Sequence, residues 1–376
     1  MISIVDAFSS SYAHARVKFL EGAAIAGLQI ESHNHPLLGV DDETLAMDVA
    51  LASPTAGVAS DKLLIVSSGC HGVEGYCGSG VQVFALHDAE WLAKARESGV
   101  TVLYIHALNP YGFSYKRRVT HENVDLNRNF QDFSKPLPVN SAYREVSDML
   151  ESATWPPGPK NMASLRKYIA MKGLVALQAA VSGGQHEFPQ GLFFGGTAPT
   201  WSNQTVRKVL RQHAGGIKNL AWIDLHTGLG SNGVGERIFD GKADATALAR
   251  ARAWWGGEKR ADGSYSTPIT SYEDGSSTSA KLTGEIWNSV EDEFSPQVQY
   301  TGIALEFGTK PPMDMMMALW AENWLNFHPE ATQELAKQIK QDMQDAFFTD
   351  TDAWKGQIIS QARQAMFQAV TGLTTR

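Results

Sequence analysis

The feature that most constrains this chain is a short apolar run ending in a glycine-punctuated turn that carries chemistry. Residues 61–68 read Asp-Lys-Leu-Leu-Ile-Val-Ser-Ser, and Gly69-Cys70-His71-Gly72-Val73-Glu74-Gly75 follow at once. A compact apolar run closed by glycine is expected of a strand buried on both faces of a sheet. Residues 80–97 then carry Val81, Phe84, Ala85, Leu92 and Ala95 at helical spacing, and residues 101–107 return to strand character. Strand, helix and strand in that order imply a parallel pair joined by a crossover helix. In doubly wound sheets functional groups gather where strands end at their carboxyl side. His71 and Glu74 are therefore the first candidates for chemistry.

Further strands are expected at 44–50, 191–195, 219–225 and 301–307, and helices at 163–182, 203–213 and 242–255. From residue 313 onward the pattern is mostly helical, with a break at Pro329. The expected fold class is α/β, a mixed, largely parallel twisted sheet flanked by helices. A length of 376 residues permits two or three domains. The candidate residues lie far apart in sequence and must meet on one sheet, so we expect one domain over 1–376, with long insertions and a helical C-terminal segment at about 329–373. The least regular stretches are 132–140, 154–161 and 257–280. The last reads as a linker or an active-site loop.

Composition excludes several classes. Hydrophobic residues make up 43% of the chain and charged residues 19%, which supplies a large core and rules out a mainly disordered chain. The net charge of −8 argues against a nucleic-acid partner. Two cysteines, Cys70 and Cys77, cannot build a disulfide framework and read as small buried apolar groups rather than thiolate ligands. No run of 18 apolar residues occurs, so no membrane-spanning helix is expected. The start, Met1-Ile2-Ser3-Ile4-Val5-Asp6, has no basic region followed by an apolar stretch, which makes the cytoplasm the default expectation.

A His and a Glu three apart reach one cation if the backbone turns helically between them. Gly69, Gly72 and Gly75 supply that freedom. The competing reading is a loop histidine bonded to backbone beside a solvated carboxylate. A second group lies after the next strand: Asn109-Pro110-Tyr111-Gly112, then Lys116-Arg117-Arg118, then Asn123-Val124-Asp125-Leu126-Asn127-Arg128-Asn129-Phe130. The planar guanidinium fork suits a carboxylate ligand; ordinary ion pairs on a solvated loop are the alternative. His226 closes the apolar run 220–226, and His106, at another strand end, is its rival as a further ligand. Glu306 sits inside Ile303-Ala304-Leu305-Glu306-Phe307, where a carboxylate is costly without a task or a partner.

Together these motifs resemble the zinc carboxypeptidases of the M14 type. The full set (C-H-G-V-E-G, D-L-N-R-N-F, D-L-H-T-G and L-E-F-G-T) most resembles the M14-like family labelled DUF2817, over roughly residues 40–330. The resemblance implies a zinc-carboxypeptidase-like fold of the phosphorylase/hydrolase type and one Zn2+ ion held by His71, Glu74 and His226. It implies that Asp125 orients His71, that Asn127 and Arg128 grip a substrate carboxylate, and that Arg118 or Arg117 stabilises the oxyanion. Glu306 would be the general base acting on zinc-activated water, with Asp224 a rival that more readily orients its neighbours. Tyr265 and Tyr272 are candidates for a mobile-loop tyrosine. The segment from Gln185 through Asn203 has no clear counterpart and would line a pocket or simply connect elements. The implied activity is that of a metallocarboxypeptidase-like peptidase acting on a peptide with a free carboxylate. The Asp-Leu-His-Thr context also resembles the aspartoacylase and succinylglutamate desuccinylase branch, which makes an N-acyl amino acid deacylase the alternative. A non-catalytic binding protein retaining the fold is the third reading.

Overall fold

Leu63, Leu64, Ile65 and Val66 are fully buried at the centre of an eight-stranded mixed sheet in the computed structural model, which describes residues 2–54, 60–242, 244–258, 260 and 266–375. The strands are β1 (Gln29–Leu38), β2 (Thr44–Ala52), β3 (Lys62–Ser68), β4 (Thr101–His106), β5 (Asn219–Gly228), β6 (Gly235–Asp240), β7 (Ile269–Thr270) and β8 (Gln299–Gly308). Their spatial order is β1-β2-β4-β3-β5-β8-β6-β7. The four inner strands β4, β3, β5 and β8 are parallel, while β2 and β6 run antiparallel on either side of them. From β3 the chain moves first to β4 on one side and later to β5 on the other. That reversal opens a crevice at the carboxyl ends of β3 and β5, the place where such sheets bind ligands.

Alternation along each strand feeds two apolar layers. Leu64 and Val66 join Val81, Val83, Ile223, Ile303, Ile358 and Ala365 on one face, under the helices Gly75–His87 and Asp352–Thr374. Leu63 and Ile65 join Leu103, Trp222, Val206 and Leu210 on the other, under the helix Trp201–His213. A third cluster packs Tyr143, Val146, Leu165 and Leu177, from three helices spanning 141–182, against Trp320 of the helix Pro312–Asn326.

Several expectations need correction. The helix expected over 80–97 begins earlier and is two helices, Gly75–His87 and Ala89–Glu97, because Asp88 leaves helical geometry and caps the second through Trp91 N. The helix expected over 163–182 breaks at Gly173, whose φ of 86° no helix accepts. Residues 191–195 are not a strand: Phe193 has a φ of 52°, and only an isolated bridge joins Gln185 to Phe194. β1 escaped notice because Gln-Ile-Glu-Ser-His-Asn-His is a polar edge strand without apolar alternation. The C-terminal segment is helical, as expected. Its last helix, Asp352–Thr374, buries Ile358, Ile359, Ala362 and Ala369 in the main core.

The turn after β3 is held by a close backbone approach. Gly72 N donates to Arg118 O at 3.0 Å and Val73 N to Arg117 O at 2.8 Å. A Cβ on Gly72 would stand 2.0 Å from the carbonyl carbon of Gly112. Backbone cannot yield as a flexible side-chain end does. Gly72→Ala is therefore expected to destabilise the protein by about 2–4 kcal/mol, read from the midpoint of denaturant unfolding. A midpoint within error of the parent would refute that tight approach.

Candidate metal centre and active-site cleft

Three adjacent strands carry the candidate residues into one place. β3 delivers a single 310 turn, Gly72–Glu74, that brings His71 and Glu74 round to the same side before the helix Gly75–His87 begins. β5 carries His226 two residues before its end, directly opposite Glu306 of β8 in the parallel register. Register alone therefore places a histidine and a carboxylate side by side across residues that are distant in sequence.

Glu74 is the hub. Its Oε1 lies 2.9 Å from His71 Nδ1 and its Oε2 3.0 Å from His226 Nδ1. It also accepts from Thr227 N at 3.1 Å and Arg118 Nη1 at 3.1 Å. Burial pushes this carboxyl up, but the two histidines outweigh it and hold the group well below the usual carboxylate range. On the far side of each imidazole stands another buried acid. His226 Nε2 is 2.7 Å from Asp224 Oδ2, and His71 Nε2 is 3.2 Å from Asp125 Oδ1. A carboxylate on Nε2 holds the proton there and turns the Nδ1 lone pair inward, as metal-binding histidines require. Arg118 Nη2 also approaches His71 Nε2 at 2.8 Å, so the tautomer that donates to Asp125 competes with the one that donates to Glu74. For His226 only Asp224 faces Nε2 among the described residues, and Ser67 Oγ and Trp222 Nε1 extend that chain at 2.5 and 2.6 Å.

The donor set suits a small divalent cation. Ligand atoms of His71, Glu74 and His226 lie within 4.8 Å of one another. Two donors of a tetrahedral zinc shell are expected about 3.3 Å apart, close to the separations seen here. Cys70 also lies near Asp224 and His226, but burial pushes its thiol up, and it packs as a small apolar group. His106, the rival ligand, is elsewhere: it stacks on Phe19, bonds Ser79 Oγ at 2.8 Å, and is held neutral by burial, which lowers it to about 4.

Several of the remaining candidates line a cavity of about 540 Å3 that opens onto this cluster. Glu306 borders it and accepts from Leu229 N at 2.9 Å. Burial first, and then repulsion from Glu74, pushes its carboxyl up to about 7. Arg118 borders it too, tied to Asp125 through Nε at 3.0 Å. Arg117 does not: its Nε donates to Glu322 at 2.8 Å and its Nη2 to Asn123 at 3.0 Å, which fixes the helix Pro312–Asn326 rather than the cleft. Asn127 borders the cavity and spends its amide oxygen on Ile286 N, while its NH2 has no partner among the described residues. Arg128 bonds the carbonyls of Asn127 and Ser182, and its Nε is buried without a partner. Tyr272 borders the cavity with its hydroxyl on Glu285, whereas Tyr265 lies outside the described residues.

Sequence reading missed the role of the other asparagines. Asn109 caps the helix Pro110–Ser114 through Gly112 N, and Asn129 bonds Gly195 O, Ala198 O and Thr200 N. Asn129, together with Asn123 through Pro189 O and Gly191 O, stitches the arginine-bearing loop to the 185–200 segment. Only the turn signal at Asn109 was visible in advance. Leu192 and Phe193 of that segment reach the cavity, with Phe193 beneath both Arg118 and Arg128.

Comparison with known proteins gives the family and the fold. Residues 8–361 match the family model described as "Protein of unknown function (DUF2817)". The chain belongs to the DUF2817 family. A search of curated proteins finds no significant sequence match. Among solved structures the chain is similar to thrombin-activatable fibrinolysis inhibitor at 13% identity and a TM-score of 0.53, covering 97% of this chain and 74% of that one. It is similar to the bovine form of that protein, in complex with tick carboxypeptidase inhibitor, at 11% identity and a TM-score of 0.52, covering 97% of each chain. Carboxypeptidase A from Helicoverpa armigera also matches, at 11% identity and a TM-score of 0.48, covering 90% of this chain and 75% of that one. The fold is a carboxypeptidase-like α/β fold. Among the described residues no helix is long and apolar enough to cross a membrane.

If Asp224 sets the orientation of His226, Asp224→Asn should weaken zinc binding by about 10–100-fold, measured by competition with a chelator. Unchanged affinity would remove Asp224 from the centre.

Proposed function

We propose that this DUF2817 protein is a zinc-dependent hydrolase that cleaves an amide bond next to a free carboxylate, in the manner of a metallocarboxypeptidase. The observation that carries the reading is the convergence of both Nδ1 atoms and the Glu74 carboxylate on one point, beside a cavity that Glu306, Arg118 and Arg128 border. His71, Glu74 and His226 would hold the ion. When bound, zinc supplies Lewis acidity that polarises a carbonyl and lowers the pKa of water toward neutrality.

The chain's own residues do the rest. Glu306 takes a proton from the attacking water and delivers it to the leaving amine, which requires a carboxylate poised near neutral pH. Its raised value meets that requirement, and a cation beside Glu74 would offset the repulsion and lower it. Arg118 is preorganised by Asp125 and Glu74 and faces the cavity, so it serves as the oxyanion donor. Asn127, whose NH2 has no partner among the described residues, and Arg128, both bordering the cavity, anchor the substrate carboxylate.

The second reading, an N-acyl amino acid deacylase, uses the same machinery. It draws on the apolar wall of Leu177, Val181, Met313 and Met316, which would receive an acyl group. Release of C-terminal residues from peptides, set against release of amines from N-acyl amino acids, separates the two.

Purified protein should bind one zinc per chain, and Glu306→Gln should lose at least about 1,000-fold in kcat while keeping its metal. Retained turnover would dismiss Glu306 as the base. Arg128→Ala should raise KM for carboxylate-bearing substrates more than it lowers kcat, by about tenfold or more. An unchanged KM would end its role as anchor.

A further inference from the structure

Between Ser152 and His186 the chain carries Lys160, Arg166, Lys167 and Lys172 and no aspartate or glutamate, in a protein whose net charge is −8. This stretch holds the helices Pro159–Lys172 and Leu174–Ser182, which meet at Gly173. Their inner faces are used: Leu165, Leu177, Ala180 and Val181 pack with Tyr143 and Trp320. The outer face is not. Lys160, Arg166, Lys167, Ala170 and Met171 are all exposed, and Lys167 and Met171, four apart, share one side of the helix. A Cβ on Gly173 would meet nothing within 4 Å, so the turn projects freely.

Three large apolar side chains stand in water at this tip. Met171 is 71% exposed, Leu174 51% and Val175 81%. Single exposed apolar residues are ordinary, but these three cluster at the end of a helical hairpin, and apolar patches mark interaction sites. Charge then narrows the kind of partner. The ion pairs of this lobe are Lys172 with Glu145 and Arg144 with Glu187, while Lys160, Arg166 and Lys167 enter none among the described residues. The acids Asp148 and Glu151 lie toward the far end of the lobe, where Asn161 Nδ2 donates to Met149 O and Glu151 O at 3.0 and 2.7 Å. The tip is therefore apolar, and Arg166 and Lys167 beside it are unopposed.

We propose that this hairpin docks on an anionic lipid surface, with Met171, Leu174 and Val175 entering the acyl boundary and Arg166 and Lys167 meeting the headgroup phosphates. A nucleic acid would engage the cations but leave the aliphatic side chains in water. A second copy of this chain would cover the apolar tip but bring like charges together. An anionic bilayer satisfies both features. Leu174 and Val175 also line the cavity, and the helix that begins with them ends at Ser182, whose carbonyl accepts from Arg128 Nη2 at 2.5 Å. Docking therefore sets the mouth of the cleft against the bilayer. It does not depend on the hydrolase reading above.

The test is co-sedimentation of the full chain with vesicles of phosphatidylcholine mixed with phosphatidylglycerol, against vesicles of phosphatidylcholine alone. Binding to the anionic vesicles should be at least about tenfold tighter, and should fall as salt rises from about 0.1 to about 0.5 M because surface charges are then screened. Arg166→Gln combined with Lys167→Gln should weaken it by about tenfold or more, since each cation near such a surface contributes a factor of about five. Met171→Ser should weaken it by about fivefold or more through lost apolar burial. These side chains face solvent, so unfolding midpoints that match the parent verify that the variants fold. No binding to anionic vesicles, equal binding to both vesicle types, or binding indifferent to all three substitutions overturns the proposal. A dimer that Met171→Ser dissolves, without vesicle binding, assigns the tip to a second copy and also overturns it.

Discussion

The Glu74 carboxylate is the constraint on which the rest of the centre depends. It is 1% exposed and ionised, a state that costs several kcal/mol unless every oxygen is engaged. Two imidazoles, one guanidinium and one backbone N–H engage it. Each of those partners then needs support of its own. Asp224 and Asp125 stand behind the histidines, and Asp125 also holds Arg118. Each inner group is backed by an outer acid, which fixes the inward Nδ1 atoms in place and holds Arg118 at the cavity.

The sheet makes the arrangement possible. β3, β5 and β8 are neighbours and parallel, so their carboxyl ends deliver His71, His226 and Glu306 to one edge. The loop carrying Arg118, Asp125 and Arg128 is pressed on that edge by backbone bonds from Gly72 and Val73, an approach only a glycine permits. The helices between 141 and 182 pack against Trp320 and enclose the cavity with apolar side chains, which strengthens every electrostatic interaction at its polar end.

Much of the fold was legible because buried parallel strands announce themselves as short apolar runs. Residues 61–68, 219–225 and 301–307 all fall on central strands, and the helix at 203–213 lies close to its observed bounds. The elements that escaped were those whose signal is weak for a physical reason. β1 is a polar edge strand, and β6 and β7 are short and sit at the opposite margin. Helix breaks at Asp88 and Gly173 were hidden because apolar spacing continues across them. Residues 191–195 have apolar strand-like composition but are held as a loop by the asparagine stitches.

By itself the sequence determined the chemistry available: a histidine and a glutamate on a glycine turn, a histidine at a strand end, and a glutamate inside a strand. Side-chain type and local periodicity are encoded within a few residues, so they can be read directly. Tertiary structure decided what no local window contains. It turned Arg117 toward Glu322 and Arg118 toward the cavity, although the two are adjacent and alike. It removed His106 to the core and gave His226 the place beside Glu74. Those outcomes depend on strand order and register, which are settled by the packing of the whole sheet rather than by any one of its segments.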